Sequence, residues 1–193
     1  MDVREIRVRI ACAGDAARLA EIYEPYVTQT AITFDYEALS AEQFAGRIAR
    51  TLERYPFLVA ERGGRVVGYA YAGPFKDRAA YDWACETSIY VDMDERRSGI
   101  GSALYQALEE ALARMGVTNL NACIGYPETP DEHLDRNSVE FHEHLGYAWV
   151  GRFHRCGYKF GRWYDMVWME KEIAPHPATP LPVQPFSEVC GEL

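Results

Sequence analysis

Apolar residues along this chain recur with two periods, and the switches between them mark its elements. Ile6, Val8 and Ile10 alternate with arginines, the period-two pattern of a half-buried strand. Gly14-Asp15 then opens a helix, with Asp15 as its N-cap and Leu19, Ile22, Tyr23 and Tyr26 at helical spacing. A second helix starts at Ser40, where SAEQ places Gln43 to close a capping box and Phe44, Ile48 and Leu52 form the apolar stripe. The segment between them, TQTAITFDYEAL, predicts a long aromatic-bearing loop of the kind that lines a site.

The run PFLVAERGGRVVGYAYAG predicts a hairpin about Gly63-Gly64, and WACETSIYV predicts a third strand. Leu104, Leu108, Ala111, Leu112 and Met115 make one helical stripe that Gly116 ends. LNACIG reads as a buried strand. Asn137, with Glu140 three residues on, caps a short helix whose Phe141 and Leu145 face inward and which Gly146 closes. The stretch YAWVGRFHRCGYKFGRWYDMVWMEKEI predicts two more strands with a turn near Phe160-Gly161-Arg162. This order of elements predicts one α/β domain over residues 1–173, built on a mixed sheet with few βαβ units. Beyond it, residues 174–193 hold five of the ten prolines, which predicts an extended, loosely ordered tail draped on a partner subunit.

Composition narrows the classes. A compact chain of 193 residues removes about 70% of its unfolded surface from water, so the core needs neither metal nor disulfide. No run approaches eighteen apolar residues and MDVREIRVRI has no apolar signal core, which predicts neither membrane span nor export. Five cysteines without a CxxC pair argue against zinc ribbons and redox motifs. Cys85 and Cys123 fall inside apolar runs and read as packed thiols, which predicts a reduced, cytoplasmic protein. A net charge of −9 argues against nucleic acid as a partner, so any anion site is local.

One segment does call for an anion: ERRSGIGSAL, residues 95–104, between a strand and a helix. It lacks the lysine of a Walker loop. It also lacks the third glycine of a dinucleotide fingerprint and the carboxylate that should follow about 20 residues later. Taken alone, RRSGIG also fits a glycine turn with two solvated arginines. A phosphate group on exposed amides of a helix N-terminus gains dipole and hydrogen-bond stabilisation, and Gly99 and Gly101 leave room for its approach.

The spacing Val91-x4-Arg96-x-x-Gly99-x-Gly101 resembles motif A of the GNAT superfamily of acyl-CoA-dependent N-acyltransferases, and FHEHLGY resembles its closing helix and strand. Together with TFDYE, AGPFKDRAAYDWACETSIYVDMDERRSGIG and GYKFGRWYDMVWM, about residues 5–172 resemble the phosphinothricin and methionine sulfoximine acetyltransferase branch. That resemblance implies the α+β GNAT fold, with a central, mostly antiparallel twisted sheet flanked by helices. It further implies acetyl-CoA as cosubstrate, a small amino-acid-like amine as acceptor, and a homodimer, while the His142-x-His144 spacing, which is not that of a helical ligand pair, predicts no metal.

Residue by residue, the resemblance implies a pyrophosphate site at Arg96, Arg97, Ser98, Gly99, Ile100, Gly101 and Ser102, with Asn137 beside the cofactor and the backbone of Ile89, Tyr90 and Val91 pairing with its pantetheine arm. Glu86 matches the branch's general base. Period two places it with Ser88 and Tyr90, opposite Cys85, Thr87 and Ile89. His142 matches the position of a proton donor to the leaving sulfur, or of a residue that helps place the substrate. Arg78, with Lys76 near it, is the candidate cation for an acceptor carboxylate, and Phe34, Tyr36, Glu37 and Tyr81 are candidate walls, with Trp163 and Tyr164 reaching in from the last hairpin.

The residues alone admit plainer readings: Glu86 as a surface carboxylate or a partner of Arg78, His142 as a satisfied histidine beside the core, each aromatic as core. The stretch YPETPDEHLDR, residues 126–136, departs from the branch's short link. It either reshapes the acceptor mouth or is a surface excursion. The rival functions are acetylation of another small amine or a peptide, and a non-catalytic acyl-CoA sensor.

Overall fold

A computed structural model of the chain describes residues 5–191. In chain order the elements are β1 (Ile6–Ile10), α1 (Ala16–Gln29), α2 (Ala41–Leu52), β2 (Phe57–Arg62), β3 (Arg65–Pro74), β4 (Ala84–Val91), α3 (Ile100–Met115), β5 (Asn119–Tyr126), α4 (Asn137–His144), β6 (Ala148–Lys159), β7 (Arg162–Glu172) and α5 (Phe186–Val189). The strands form one seven-stranded sheet in the order β1-β2-β3-β4-β5-β7-β6, antiparallel throughout except where β4 meets β5. The expected α+β sheet is therefore present, with each predicted strand and helix in place.

Each face of the sheet carries its own apolar layer. The stripe of α3 lies on one face, with Leu104, Leu108, Ala111, Leu112 and Met115 all buried beside Cys85, Leu120 and Val167. At about 1.5–3 kcal/mol for each fully buried leucine, this layer anchors the fold. On the other face α1 and α2 bury Leu19, Ile22, Tyr23, Phe44 and Ile48 against Phe57, Val59 and Tyr69. That cover stops at β4, leaving the same face of β5, β7 and β6 without a helix.

Local details refine the expectations. Ser40 caps α2 as predicted, accepting from the amide of Gln43 while Gln43 reaches back to the amide of Ser40. Asp15 stands at the N-cap position of α1 as predicted, but its side chain makes no capping bond to the helix. A short 3-10 turn, Ala13–Asp15, precedes the helix, and the Asp15 carboxylate instead accepts from the Cys12 amide and from Arg9. Asn137 is the first residue of α4 rather than its cap, because the Asp135 side chain reaches the Asn137 amide at 3.0 Å.

The tail also departs from expectation. Residues 174–185 run extended, but they strap across the chain's own domain. Trp83 donates to the carbonyl of Leu181, Gln184 to that of Met115, and Phe186, on α5, is buried in the α3 layer.

Candidate active site

The parting of β4 and β5 makes the cleft. They pair only from Ala84↔Asn119 to Glu86↔Asn121, although β4 runs on to Val91 and β5 to Tyr126. On its other edge β4 stays paired with β3 as far as Val91. Antiparallel alternation, set by the bond from the Asp92 amide to Val67, turns the main-chain groups of Ser88 and Tyr90 toward β3 and those of Ile89 and Val91 toward the gap. The Tyr26 hydroxyl takes both main-chain groups of Val91, donating to its carbonyl at 2.5 Å and accepting from its amide at 3.2 Å.

Of the three residues expected to pair with a pantetheine arm, Ile89 thus offers its main-chain groups to the gap. Tyr90 is held by β3, and its ring packs edge-on against Tyr23 and Tyr26.

Below this edge lies a cavity of about 760 Å³, lined by Tyr26, Ile89, Val91, the whole segment Glu95–Ser102, Asp135, Asn137, Ser138, Glu140, Phe141 and His144. Its floor is the N-terminus of α3, where the amides of Ile100, Gly101 and Ser102 have no intrahelical acceptor. Arg97 and Gly99 both adopt left-handed backbone, with φ of 61° and 84°. A left-handed arginine is uncommon, and the turn it makes leads directly into the free amides at the start of α3, where an anion is favoured. Arg96 stacks on Tyr26, its guanidinium carbon 5.4 Å from the ring centroid. Ser98 lines the cavity as well, its hydroxyl donating to the Glu95 carbonyl and its own carbonyl accepting from Arg62. Gly101 serves a second purpose, since a Cβ there would stand 2.9 Å from the Phe141 ring.

A smaller pocket of about 50 Å³ continues the cleft between the parted strands, lined by Ile32, Thr87, Ser88, Ile89, Tyr105, Cys123, Ser138 and His142. His142 is 3% exposed. Its Nδ1 lies 2.6 Å from the Ser138 carbonyl, an acceptor, so Nδ1 carries the proton. Its Nε2 meets the Tyr105 hydroxyl at 2.8 Å, and that hydroxyl lies 3.2 Å from Thr87 Oγ1. Burial lowers the His142 pKa, against a smaller upward pull from the Ser138 carbonyl, so the neutral ring accepts from Tyr105. Both ring nitrogens are therefore committed inside the protein, and the donor role expected of His142 has no proton facing the cleft.

Glu86 lies on the opposite face of β4 from Cys85 and Thr87, as period two required, and it is partly buried on the uncovered half of the sheet. Burial raises its pKa, partly offset by the charge of Lys76. Lys76 sits 4.6 Å from the centroid of Phe75 and 5.3 Å from that of Trp168, and Phe75 meets Trp168 and Tyr81 edge-on. Phe75 and Trp168 thus wall this site, although the sequence alone does not single them out. The alternation that puts Trp168 opposite Cys123, on the face shared with Glu86, was available in the sequence once the register was known. Cys123 itself is exposed there, not packed as its apolar run suggested.

Arg78 and Lys76 are both exposed and neither makes an ion pair among the described residues, but of the two only Lys76 is seen against aromatic rings and close enough to Glu86 for its charge to be felt there. Of the remaining walls, Phe34 lies against Gly157, and Tyr36, 69% exposed, donates to the Tyr158 carbonyl. Glu37 is exposed. Trp163 is exposed against Tyr158, but Tyr164 is buried beneath the 126–136 segment with its hydroxyl on Asp131, and does not reach the cleft. Among the described residues no three His, Cys, Asp or Glu side chains gather as a metal site.

This combination of parted strands, left-handed glycine turn and helix N-terminus defines an acyltransferase cleft, and comparison with known proteins agrees. The family model described as the acetyltransferase (GNAT) domain matches residues 8–168, and the chain belongs to that family. The phosphinothricin N-acetyltransferase of Streptomyces viridochromogenes is 37% identical over 96% of this chain and 97% of its own length. The L-methionine sulfoximine/L-methionine sulfone acetyltransferase of Salmonella typhimurium is 30% identical over 89% and 96%. Among solved structures, a phosphinothricin acetyltransferase from Sinorhizobium meliloti in complex with AcCoA superposes with a TM-score of 0.83 at 31% identity, covering 91% of this chain and 93% of that one.

Proposed function

We propose that this protein transfers the acetyl group of acetyl-CoA to the α-amine of a small amino-acid-like acceptor of the phosphinothricin or methionine sulfoximine type. The carrying observation is the alignment of three parts along β4: the anion-binding turn just past its end, the free main-chain edge at Ile89, and Glu86 on the open face. The residues fit acetyl-CoA. The turn and the N-terminus of α3 suit its pyrophosphate, and Ile89 suits its pantetheine amides. The names and AcCoA complex of the relatives support the same reading.

Acetyl-CoA supplies an acetyl group activated as a thioester. Everything else falls to the chain. An α-ammonium, with a pKa near 8, must lose a proton before its nitrogen can attack. Glu86 takes that proton, directly or through one water, and its raised pKa brings it closer to the operating pH than an exposed carboxylate would be. Lys76, framed by Phe75 and Trp168, is the cation for the acceptor's carboxylate, with Arg78 as a second charge at the rim. We assign His142 to shaping the cleft wall through Tyr105 and Ser138, because a proton on Nε2 would first require release of the Tyr105 hydroxyl.

Two further parts of the proposal concern setting. Three exposed free thiols, Cys12, Cys123 and Cys156, favour a reducing, cytoplasmic compartment. The bare face of β5, β7 and β6, carrying exposed Phe153, and the nearby exposed Trp149 and Val150, favour a homodimer, which light scattering of the purified chain tests.

The decisive assay is thiol release from acetyl-CoA over phosphinothricin, methionine sulfoximine, methionine sulfone, free amino acids, polyamines and a basic peptide. Release confined to the first three is expected. Release with peptide alone would move the assignment to a protein acceptor, and silence with acetyl-CoA still bound would favour a sensor.

A further inference from the structure

The loop between α1 and α2 is the acceptor-side lip of the cleft, yet residues 30–37 have no regular structure to hold them. Irregular backbone near a core leaves carbonyls without ladder partners, and these must be satisfied from outside. Here the last three residues of β6 do so. Lys159 is 3% exposed, and its ammonium donates to the carbonyls of Thr30 at 2.9 Å and Thr33 at 2.8 Å. Tyr158 accepts the hydroxyl of Tyr36 on its carbonyl. Gly157 lies so close to Phe34 that a Cβ there would stand 2.3 Å from the ring.

The strand end that makes these contacts is itself fixed. A register shift between Phe153 and Gly157 turns it, Arg155 takes left-handed backbone there, and the Arg155 amide is bonded to Asp165 at 2.6 Å. The 126–136 segment braces the loop from its other side. The His133 carbonyl accepts from the Ala31 amide, its Nδ1 meets the Gln29 carbonyl, and its ring stacks on Phe160 at 4.0 Å. Ile32, at the centre of the held loop, lines both the large cavity and the small pocket beside His142.

We propose that Gly157, Tyr158 and Lys159 form a three-point clamp on the acceptor loop, with Lys159 as a positioning residue for the acceptor and the 126–136 segment as its brace. A buried lysine costs desolvation free energy that an apolar residue would not, and what it provides here is the fixed path of a loop that faces the reacting groups. The inserted segment is then neither a surface excursion nor a direct contact of the acceptor. It acts through the loop it supports.

This inference rests on the acceptor reading above, and one experiment separates the two. Lys159→Met removes the ammonium, and Gly157→Ala pushes Phe34 aside while leaving every hydrogen bond available. Both are measured by initial rates with methionine sulfoximine and acetyl-CoA, and by hydrogen exchange of the backbone amides. The expected result is a rise of about tenfold or more in acceptor KM, with acetyl-CoA KM within about twofold of the parent. Amide exchange should accelerate over residues 30–37 and not over 97–104.

Equal rises in both KM values, or faster exchange across the whole chain, would reduce the clamp to a general stabilising role and overturn the proposal. Unchanged exchange in the loop would overturn it in either variant, and should Lys159→Met fail to fold, Gly157→Ala still decides. A parent enzyme silent with methionine sulfoximine, methionine sulfone and phosphinothricin alike would sink the acceptor reading instead, and the exchange data would then judge the clamp alone.

Discussion

At the scale of single residues, the carboxylate of Glu86 joins activity to a stability penalty. Its pKa is raised by burial, so the folded state holds the proton more tightly than the unfolded state does. Stability therefore falls as pH rises from the ordinary glutamate range through the raised folded value. Glu86→Gln should lower kcat by about 10² or more with acetyl-CoA affinity unchanged. The same change should raise Tm at neutral pH, and the gain should vanish in acid, where both states of the parent are protonated. Thermal melts at two pH values with parallel initial rates check both parts. A Tm gain independent of pH would mean that packing, not desolvated charge, separates the two proteins. The pH profile of kcat/KM should show an acid limb set above the ordinary glutamate range.

Tyr105 and His142 allow a similar test. If the pair only shapes the wall, Tyr105→Phe and His142→Gln should each cost less than about tenfold in kcat, whereas loss of a true proton donor costs about 10²–10⁴. Kinetics with both variants decide it, and a loss of 10² in His142→Gln alone would return His142 to the role its sequence position implied. The sequence could locate His142 but not its state, because the deciding facts are the Ser138 carbonyl four residues back and a hydroxyl from another helix.

Among elements, what was legible followed from periodicity and local punctuation. The capping box at Ser40, the glycines at 63–64 and the stripe of α3 each report on a few neighbouring residues, and each predicted element stands where its pattern put it. The parting of β4 from β5 was not legible in this way. It arises from register between segments more than thirty residues apart, and it decides which of Ile89, Tyr90 and Val91 keeps a free main-chain edge. Arg97 in left-handed backbone was equally hidden, since glycine was the residue that flagged the turn. Likewise hidden was the seat of Lys76 against Phe75 and Trp168, because loop geometry and strand register decide it.

The turn and the start of α3 carry a prediction of their own. The missing side chain at Gly101 serves the close approach of α3 and α4 as well as access to the amides, because Phe141 fills the space a Cβ would occupy. Gly101→Ala should therefore displace Phe141 into the large cavity it lines and weaken acetyl-CoA binding by about tenfold or more, an effect calorimetry can read. Ser102→Ala, one residue on and on the same turn, removes a hydroxyl without forcing any movement. It should cost only one hydrogen bond's worth of affinity, roughly 0.5–1.5 kcal/mol. Comparable losses in the two variants would show that contact with the anion, rather than helix approach, governs this turn.

Across the whole molecule, the two ends of α3 divide labour: its N-terminus floors the large cavity, and the tail docks at its C-terminal end. The strap lies across Trp83, Met115 and Arg54, and Phe186 is 2% exposed within the α3 layer, while the cleft opens where β4 and β5 part. Composition misjudged this tail because proline content reports on local stiffness, whereas docking is made by one buried phenylalanine and by main-chain bonds to the Met115 and Arg54 carbonyls. Phe186→Ala should cost about 3 kcal/mol or more, the usual loss for a buried phenylalanine. For a chain of this size that lowers Tm by ~6–12 °C. Both KM values should stay within about twofold of the parent, because the packing removed touches neither the turn, the clamp nor Glu86. Calorimetric melts and two-substrate kinetics on the same preparation test this. A falling kcat at temperatures well below the melt would instead mean that the α3 layer transmits the tail's packing to the helix N-terminus that holds the anion.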